Sequence, residues 1–561
     1  MLGLLAVPAG LGFLALRLPP DVLREMLRRW EFWLLEALFA CVAVTTLVEA
    51  KRLPITRRLA LWAAVVGAAA TLLTASVAPR TNRIFYDEQI YQGVAQNLTD
   101  LHLAQMCNDG TLESGRLQCW QGEFNKEPNG YPYLLSLVYR IAGVRADAAF
   151  YFNNLVAGLT AFLVVVLSQL LFADTRGAVL SGLVLALLPM QLWWTNTASA
   201  EPSAALMTAA ALIAAVHFAR VRTTSALAWT VAVTAFATTL RPESVLALPL
   251  VAVAVLLLAP GELRRRRIWW AAAAGASLCL PTVLHLMSVR HETWGAPAAR
   301  FGWQYVKTNL PLNSWFYLGH DERFPVLIAL AAFLGLVGSR HARLEALLLG
   351  MYFLSFWGVF VPFYAGSYYY GADVRFSLLS HVPLVLLAGM GLTRAADVLS
   401  RWCSRRTALA AVVVATLVQF SWSLPVSRSV GEEAWAARAD VTYAKRFSQL
   451  LPPHSVVLTH NPSLFHVWGI SAAQMSLGLT VPGYVREQLF NRYAGGVYLQ
   501  WGFWCNVDDP VQTTFCRSML NGFQSEQIAS ARERSYQYRL YRLVRSESPE
   551  RPGLVSQPGA K

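Results

Sequence analysis

The feature that most constrains this chain is a succession of apolar runs long enough to cross a bilayer. A membrane-spanning helix needs about 20 predominantly apolar residues. Such runs lie at residues 31–49, 59–79, 148–172, 178–195, 203–220, 244–260, 268–289, 324–340, 345–363, 377–396 and 407–424. A shorter run lies at 226–240 and a marginal one at 1–17. We therefore predict an all-α polytopic membrane protein with about 11–13 transmembrane helices.

The composition agrees with this prediction. Of the 561 residues, 55% are hydrophobic and 14% are charged, whereas soluble domains carry about 25% charged residues. This excludes a disordered chain and argues against a large cytosolic enzyme. The net charge of +14 comes from Lys and Arg in short loops between apolar runs. Membrane topology explains these basic loops better than nucleic-acid binding does.

The basic loops alternate with longer, less basic ones, and we assign the basic set to the cytoplasm. The segments that then lie outside are 80–147, 290–323 and the tail from about 425. The basic stretch after residue 17 also falls outside, which suggests an interfacial amphipathic helix. The predicted domains are an N-terminal membrane hairpin or interfacial segment (1–58), a transmembrane domain (59–424), a small soluble α/β domain (425–545) and a disordered tail (546–561).

Four of the seven cysteines form two local pairs in the predicted outside segments, Cys107 with Cys119 and Cys505 with Cys516. Disulfides persist in oxidising compartments, and each bridge would close a loop of about a dozen residues, which stabilises a fold by about 3 kcal/mol. Zinc is the alternative, but neither pair has the CxxC spacing of common zinc sites. We predict two disulfides.

Two adjacent carboxylates, Asp87 and Glu88, follow the apolar run at 59–79. Ionisable groups at a membrane surface are costly unless they are solvated or functional. Because adjacent helical residues point about 100° apart, we expect the two carboxylates to have different roles, one at a reacting centre and one holding the loop or an acceptor. A simple N-terminal charge on the next helix is the alternative. Further along the loop, Lys126 is suited to a lipid phosphate or to snorkelling along the bilayer edge.

Several short motifs occur in a characteristic order. They are Asp87-Glu88, Lys126-Glu127-Pro128 running into Tyr131-Pro132-Tyr133, Glu201-Pro202, Arg241-Pro242-Glu243 and Asp373-Val374-Arg375-Phe376. Over roughly residues 60–395 this order resembles the GT-C glycosyltransferases. The most similar pattern is that of bacterial members related to protein O-mannosyltransferases and lipid A aminoarabinose transferases.

The resemblance implies a role for each matching residue. Asp87 corresponds to the first-loop carboxylate that acts as general base or orients the acceptor, and Glu88 to its acidic neighbour. Lys126 corresponds to a residue that contacts the lipid phosphate, and Arg375 to an arginine at the membrane edge that is also suited to a phosphate. Glu127 stands where the family usually has proline, which weakens the assignment of Lys126.

The implied reaction moves a sugar from a polyprenyl phosphate to a glycan, lipid or protein acceptor, with inversion in a single displacement. Fixed cations near the leaving phosphate lower its barrier, and Arg241 joins Lys126 and Arg375 as a candidate. Expected cavity or acceptor residues are Tyr91, Tyr131, Glu201 and Glu243; helix capping is an equal alternative for the two glutamates.

The metal requirement stays open at this stage. His291, His320 and Asp321 in the loop 290–323 carry groups that suit several divalent ions, although solvated loop residues explain the same pattern. No further cofactor is expected besides the lipid-linked donor. We expect a multi-pass protein of a bacterial inner membrane, with its site and C-terminal domain on the extracytoplasmic side. A lipid or glycan transporter, a flippase and a diphosphate-donor ligase are the competing functions.

Overall fold

The computed structural model describes residues 10, 17–293, 296–319, 322–339, 341–369, 371–432, 434–481, 483–507 and 510–545. Most of the marginal apolar run at 1–17 and the predicted disordered tail 546–561 lie outside these residues.

The larger part of the chain is a bundle of helices. They are α1 Pro20–Ala50, α2 Arg57–Val77, α3 Asp87–Asp100, α4 Gly130–Ala142, α5 Ala148–Phe172, α6 Thr175–Leu187, α7 Pro189–Trp194, α8 Glu201–Val221, α9 Thr224–Ala237, α10 Ala247–Leu258, α11 Arg266–Leu278, α12 Leu280–Ser288, α13 Trp303–Gly319, α14 Val326–Gly338, α15 Arg343–Gly358, α16 Leu378–Leu399 and α17 Arg405–Ser429. Short 3-10 turns at Pro242–Leu246 and Gly371–Ser377 precede α10 and α16.

Six of the described helical segments are long and apolar enough to cross a membrane, namely α1, α2, α5, α8, α17, and α16 with its preceding turn. The pair α11 and α12, bent by 41°, makes a seventh if it forms one span. The shorter apolar segments are α6, α9, α14, and α10 with its preceding turn. The predicted fold class, a polytopic helical membrane protein with a small C-terminal sheet region, is confirmed.

The basic N-terminal stretch and the first apolar run form one continuous helix, α1. Its first turns bury Leu23 and Leu27. The guanidinium of Arg24 lies 2.6 Å from the Glu292 carboxylate, across a long sequence separation. Ion pairing of this kind, together with solvent exposure, accommodates the positive charges at this end of α1.

Small residues let the helices of the bundle pack closely. A Cβ atom added at Gly335 in α14 would collide with the backbone carbonyl of Leu387 in α16. A Cβ atom added at Gly391 in α16 would collide with the carbonyl of Ala331 in α14. The side chains between α14 and α16 belong to the large buried core of the bundle.

Strands from two distant parts of the chain form a single sheet. The remaining elements are β1 Gln105–Glu113, β2 Arg116–Phe124, α18 Trp435–Ser448, β3 Ser455–Thr459, α19 Pro462–His466, β4 Ser471–Gln474, α20 Leu477–Thr480, α21 Phe490–Arg492, β5 Gly496–Trp501, α22 Pro510–Gly522, β6 Gln524–Glu533 and β7 Tyr536–Val544. The seven strands are ordered β2-β1-β4-β3-β5-β7-β6. β3 is parallel to both β4 and β5, and the other pairs are antiparallel.

Both faces of the sheet are covered, as alternation along β3 requires. Val456 and Leu458 join a core that includes Met519 of α22. Val457 joins a second core with Phe447 of α18. The tail therefore has the predicted α/β character, but its sheet continues into the hairpin of the segment 80–147.

The hairpin β1–β2 is tied to the tail by more than strand pairing. The buried Asp109 carboxylate accepts hydrogen bonds of 3.0 and 3.2 Å from the Arg492 guanidinium. The Thr111 and Tyr493 hydroxyls lie 2.6 Å apart. These contacts join the first long loop and the C-terminal region into one body above the bundle.

The two predicted disulfides are present. Cys107 on β1 bonds Cys119 on β2, and Cys505 bonds Cys516 on α22. The first bridge closes the hairpin. The second fixes the short 3-10 turn Phe503–Cys505 to α22.

Candidate active site

Asp87 and Glu88 begin α3 at the junction of the bundle and the sheet region. The residue before them, Tyr86, has φ of +63°, a left-handed conformation that bulky residues rarely adopt and that is typical of functional sites. This sharp turn starts the helix, whose N-terminus favours negative charge. The two side chains diverge: that of Asp87 is 37% exposed, whereas Glu88 is completely buried.

Glu88 holds the surrounding backbone. One carboxylate oxygen accepts hydrogen bonds from the amides of Arg83 (2.7 Å) and Ile84 (3.0 Å). The other accepts from the Asn82 side chain (2.8 Å) and from the backbone amide of Ala198 (3.0 Å). Burial raises the pKa of the Glu88 carboxyl, and the four hydrogen bonds oppose that change. All the lone pairs that a carboxylate can readily use are thus engaged, which favours a structural role for Glu88.

Asp87 is the more accessible carboxylate. One oxygen lies 3.4 Å from a terminal nitrogen of Arg375, in the 3-10 turn that precedes α16. Burial raises the pKa of the Asp87 carboxyl, against the opposing charges of Arg375 and Arg241. A partly exposed carboxylate with a raised pKa and one orienting cation is suited to accept a proton.

Glu201 forms ion pairs with two arginines near Asp87. One of its oxygens lies 2.7 Å from Nε of Arg375 and 3.3 Å from a terminal nitrogen of Arg241. Glu201 is completely buried at the N-terminus of α8, where the helix dipole favours a carboxylate. The three side chains connect the start of α8, the turn before α16 and the break before α10.

Arg241 has further partners. Its Nε donates to Glu243 at 3.0 Å, and a terminal nitrogen donates to the Tyr91 hydroxyl at 3.2 Å. The same nitrogen lies 3.8 Å from the Glu127 carboxylate. Burial raises the pKa of the Glu127 carboxyl, against the charge of Arg241.

Carboxylates outnumber cations in this cluster. The acidic groups that contact the two guanidiniums are Asp87, Glu127, Glu201, Glu243 and Asp373. Around Arg241 and Arg375 the formal charge is therefore negative. Such a site stabilises positive charge that develops on a bound molecule.

The adjacent side chains of Lys126 and Glu127, like those of Asp87 and Glu88, have different partners. The Lys126 ammonium lies 2.9 Å from Glu292, which also binds Arg24. Although burial raises the pKa of Glu292, these two cations hold it below its ordinary value. The Lys126 side chain is 43% exposed. It is thus separated from the arginine cluster and open to solvent.

Tyr91 and Tyr131 are buried, with 1% and 0% exposure. Their rings meet edge to face, with centroids 5.5 Å apart. Tyr91 contacts the cluster through Arg241. Both therefore act as walls behind the site.

Of the three metal candidates, only His291 lies in the described part of the chain. His291 is exposed, and its ring accepts a hydrogen bond from Arg290. His320 and Asp321 lie outside the described residues. Among the described residues, His460, Cys505 and Cys516 form a group with metal-ligand spacing, but the two cysteines are bonded to each other.

The C-terminal region contributes residues that the sequence analysis did not identify. The Phe503 ring stacks on Phe85 at 3.9 Å, and the Trp504 ring lies 5.9 Å from that of Tyr86. The buried Asp440 carboxylate accepts a hydrogen bond from the Phe503 amide at 2.9 Å. The only sign of this contact in the sequence is the pair of consecutive aromatic residues before Cys505. Phe503 and Trp504 pack against the turn that precedes Asp87.

Comparison with known proteins agrees with the resemblance predicted from the motifs. Residues 126–285 match the family model of dolichyl-phosphate-mannose-protein mannosyltransferases. A search of curated protein sequences gave no match.

Solved structures extend the likeness to most of the chain. ArnT from Cupriavidus metallidurans bound to undecaprenyl phosphate aligns with a TM-score of 0.54 at 15% identity, covering 86% of this chain and 98% of ArnT. Apo ArnT from the same organism aligns with a TM-score of 0.50 at 14% identity, covering 86% and 97%. The expected resemblance is confirmed, and the chain has the GT-C fold.

Proposed function

We propose that this protein is a membrane glycosyltransferase that transfers a sugar from a polyprenyl-phosphate donor to an extracytoplasmic acceptor. The match of residues 126–285 to a mannosyltransferase family model supports this reaction class. The fold shared with a protein solved with undecaprenyl phosphate supports a lipid-linked donor. Because an isoprenoid tail stays in the bilayer, such a donor requires the multi-pass membrane protein that this chain forms.

The observation that carries the proposal is that Asp87 and Glu88 have different surroundings. Each carboxylate oxygen of Glu88 accepts two hydrogen bonds from the protein. Asp87 is partly exposed and is oriented by Arg375. The site thus offers one carboxylate to an incoming acceptor, next to a preorganised cluster of charges.

The chemistry assigned to these groups is a single displacement. A hydroxyl or amine is a weak nucleophile, and Asp87 takes its proton while the new glycosidic bond forms. The bond between the sugar and the phosphate breaks, and its electron pair leaves with the polyprenyl phosphate. The sugar passes through an oxocarbenium-like transition state, and attack opposite the leaving group inverts the anomeric centre.

In the proposal, the carboxylates of the site act on the sugar and the cations act on the phosphate, the two groups that the breaking bond joins. The acidic cluster stabilises positive charge on the sugar. We assign Lys126 and Arg375 to the departing phosphate: Lys126 is exposed and exchanges Glu292 for phosphate oxygens. Arg241 contacts Glu127, Glu201 and Glu243, and Arg375 contacts Asp87, Glu201 and Asp373. In the proposal both arginines therefore also hold the cluster together, and Arg241 stays a further candidate for the phosphate.

We assign the site to the outer face of a bacterial inner membrane. The two disulfides support an oxidising compartment for the sheet region. The acceptor is a glycan, lipid or protein of that compartment. The requirement for a divalent ion stays open in the proposal, and parallel reactions with EDTA test it.

The proposal is tested by supplying the purified protein, in lipid nanodiscs, with polyprenyl-monophosphate sugars carrying a radiolabel. A membrane extract provides acceptors, and parallel reactions contain EDTA. Label entering the acceptor fraction from a monophosphate donor is the expected result. Parallel reactions contain diphosphate-linked donors, and transfer from these donors alone would identify a ligase. A parallel preparation in closed liposomes tests transport, and movement of the donor across the bilayer without transfer would identify a flippase.

A further inference from the structure

A cavity borders Tyr86, the residue before Asp87, and includes neither arginine of the cluster among its lining residues. This cavity of about 340 Å³ opens between the start of α3, the hairpin β1–β2 and the loops of the C-terminal region. This volume falls in the range of small-molecule sites, about 300–1,000 Å³. None of the groups assigned to the sugar transfer, apart from the backbone turn at Tyr86, belongs to it.

The topology of the sheet places this cavity where α/β sheets bind ligands. Three lining residues lie at the carboxyl ends of the three parallel strands: His460 directly after β3, Gln474 at the end of β4 and Trp504 shortly after β5. β4 lies on one side of β3 and β5 on the other. The chain order therefore reverses at β3, and ligands of open α/β sheets bind at the carboxyl ends of strands at such a switch point.

The lining has the chemistry of a carbohydrate site. Side-chain amides come from Asn108, Asn461 and Gln474, and hydroxyl groups from neighbouring serines. The aromatic rings of Tyr86 and Trp504 form one wall. Amides and hydroxyls both donate and accept hydrogen bonds, and aromatic rings offer an apolar face, as a polyhydroxylated ring requires.

Asn461 supplies an independent observation that points to a ligand. It is 5% exposed, and its side-chain nitrogen has no hydrogen-bond partner within the described part of the chain. A buried donor without a partner destabilises the fold. A ligand oxygen in the cavity would satisfy it.

Other ligand classes fit less well. The described lining residues include no Lys or Arg; His460 is the one basic side chain among them, and the Glu123 carboxylate also lines the cavity. A phosphate or an acidic peptide would therefore find no permanent counter-charge there and would meet a carboxylate of like charge. The many amides and hydroxyls would lose hydrogen bonds against a lipid chain. A neutral sugar avoids both costs.

From this combination we infer that the cavity binds a carbohydrate segment of the acceptor. The inference rests on the proposed function for the identity of the ligand as acceptor. The covalent connection from Tyr86 to Asp87 explains how the two sites cooperate. A glycan anchored against Tyr86 and Trp504 presents its reacting hydroxyl around the turn to the Asp87 carboxylate.

The test is direct binding, which does not depend on transfer. Purified full-length protein in nanodiscs is applied to an array of bacterial envelope oligosaccharides. Two variants reduce the cavity chemistry: Asn461→Ala combined with Gln474→Ala, and Ser476→Trp, which fills the space from a half-exposed wall position. Gln527→Ala, an exposed glutamine on β6, is the matched control. Thermal unfolding verifies that each variant is folded.

We expect the wild type and the Gln527→Ala variant to bind the same glycan equally. Binding by each cavity variant should weaken at least tenfold. Equal binding by a folded cavity variant overturns the inference, and so does a wild type that binds no glycan of the array. If glycan binding follows the prediction but no donor supports transfer, the carbohydrate site stands and the proposed function fails.

Discussion

The different surroundings of Asp87 and Glu88 predict opposite outcomes for the same kind of substitution. Glu88→Gln and Asp87→Asn each replace a carboxylate oxygen by an NH₂ group of nearly the same size. In Glu88→Gln the new NH₂ faces two donors, whichever way the amide is turned, because each oxygen of Glu88 accepts two hydrogen bonds.

The expected loss of stability follows from these contacts. A hydrogen bond to a charged group contributes about 1.5–3 kcal/mol, so losing two costs about 3–6 kcal/mol. The Asn82 amide can rotate to present its oxygen, which recovers one of them if the Gln nitrogen takes that side. The backbone amide of Ala198 has no such freedom. Asp87→Asn removes a single 3.4 Å contact of a partly exposed group, and we expect it to cost less than about 1 kcal/mol.

The assay compares the melting temperatures of both variants with the wild type in one detergent, alongside the rate of sugar transfer. Glu88→Gln should lower the melting temperature by several degrees. Asp87→Asn should leave it unchanged but lower the rate by about 10²–10⁴, the usual contribution of a general base. Adding Asn82→Asp to Glu88→Gln gives the new amide an acceptor and should restore part of the stability.

Two results would refute this reasoning. The first is a Glu88→Gln variant that melts like the wild type but has lost transfer activity, which would place Glu88 in the chemistry. The second is an Asp87→Asn variant with full activity.

Three further predictions concern pH and the C-terminal buttress. The transfer rate should fall as the pH is lowered through the pKa of Asp87, which burial raises above its ordinary value of 3.8; a flat profile down to pH 4 would contradict this. Burial raises the pKa of Asp440 to about 6 from 3.8, so the folded state binds the proton more tightly and stability should fall by about 3 kcal/mol as the pH rises from about 4 to 6. Asp440→Asn keeps an acceptor for Phe503 and should abolish this dependence in melting curves. Replacing Cys505 and Cys516 by serine should destabilise the fold by about 3 kcal/mol and lower transfer, and unchanged melting and activity would exclude the buttress role.

Local sequence signals predicted the fold class, the two disulfides and the acidic pair at the start of α3. Apolar runs report burial in lipid directly, since each helix satisfies its own backbone hydrogen bonds. The cysteine pairs close short loops, so their pairing is visible in the sequence. The expectation that Asp87 and Glu88 differ in role came from helix geometry, and their burial and partners agree with it.

Local sequence signals did not predict which residues that are distant in the chain would contact each other. The pairing of β1 with β4 joins Asp109 to Ala473, and no local periodicity encodes a partner so distant in the chain. The same holds for the contact of Lys126 with Glu292, and for the stacking of Phe503 on the turn before Asp87. Lys126 and Glu292 lie in different loops of the sequence, and only the folded chain brings them together.

The central claim is that Asp87 is the base in sugar transfer from a polyprenyl phosphate. The most direct test measures release of free polyprenyl phosphate by the wild type, Asp87→Asn and Asp147→Asn, the last being the same substitution at a surface ion pair with Arg145. Release by the wild type and Asp147→Asn from one donor, lost in a folded Asp87→Asn variant, is the predicted result. Equal release by all three proteins, or release by none from any monophosphate donor, would contradict the account.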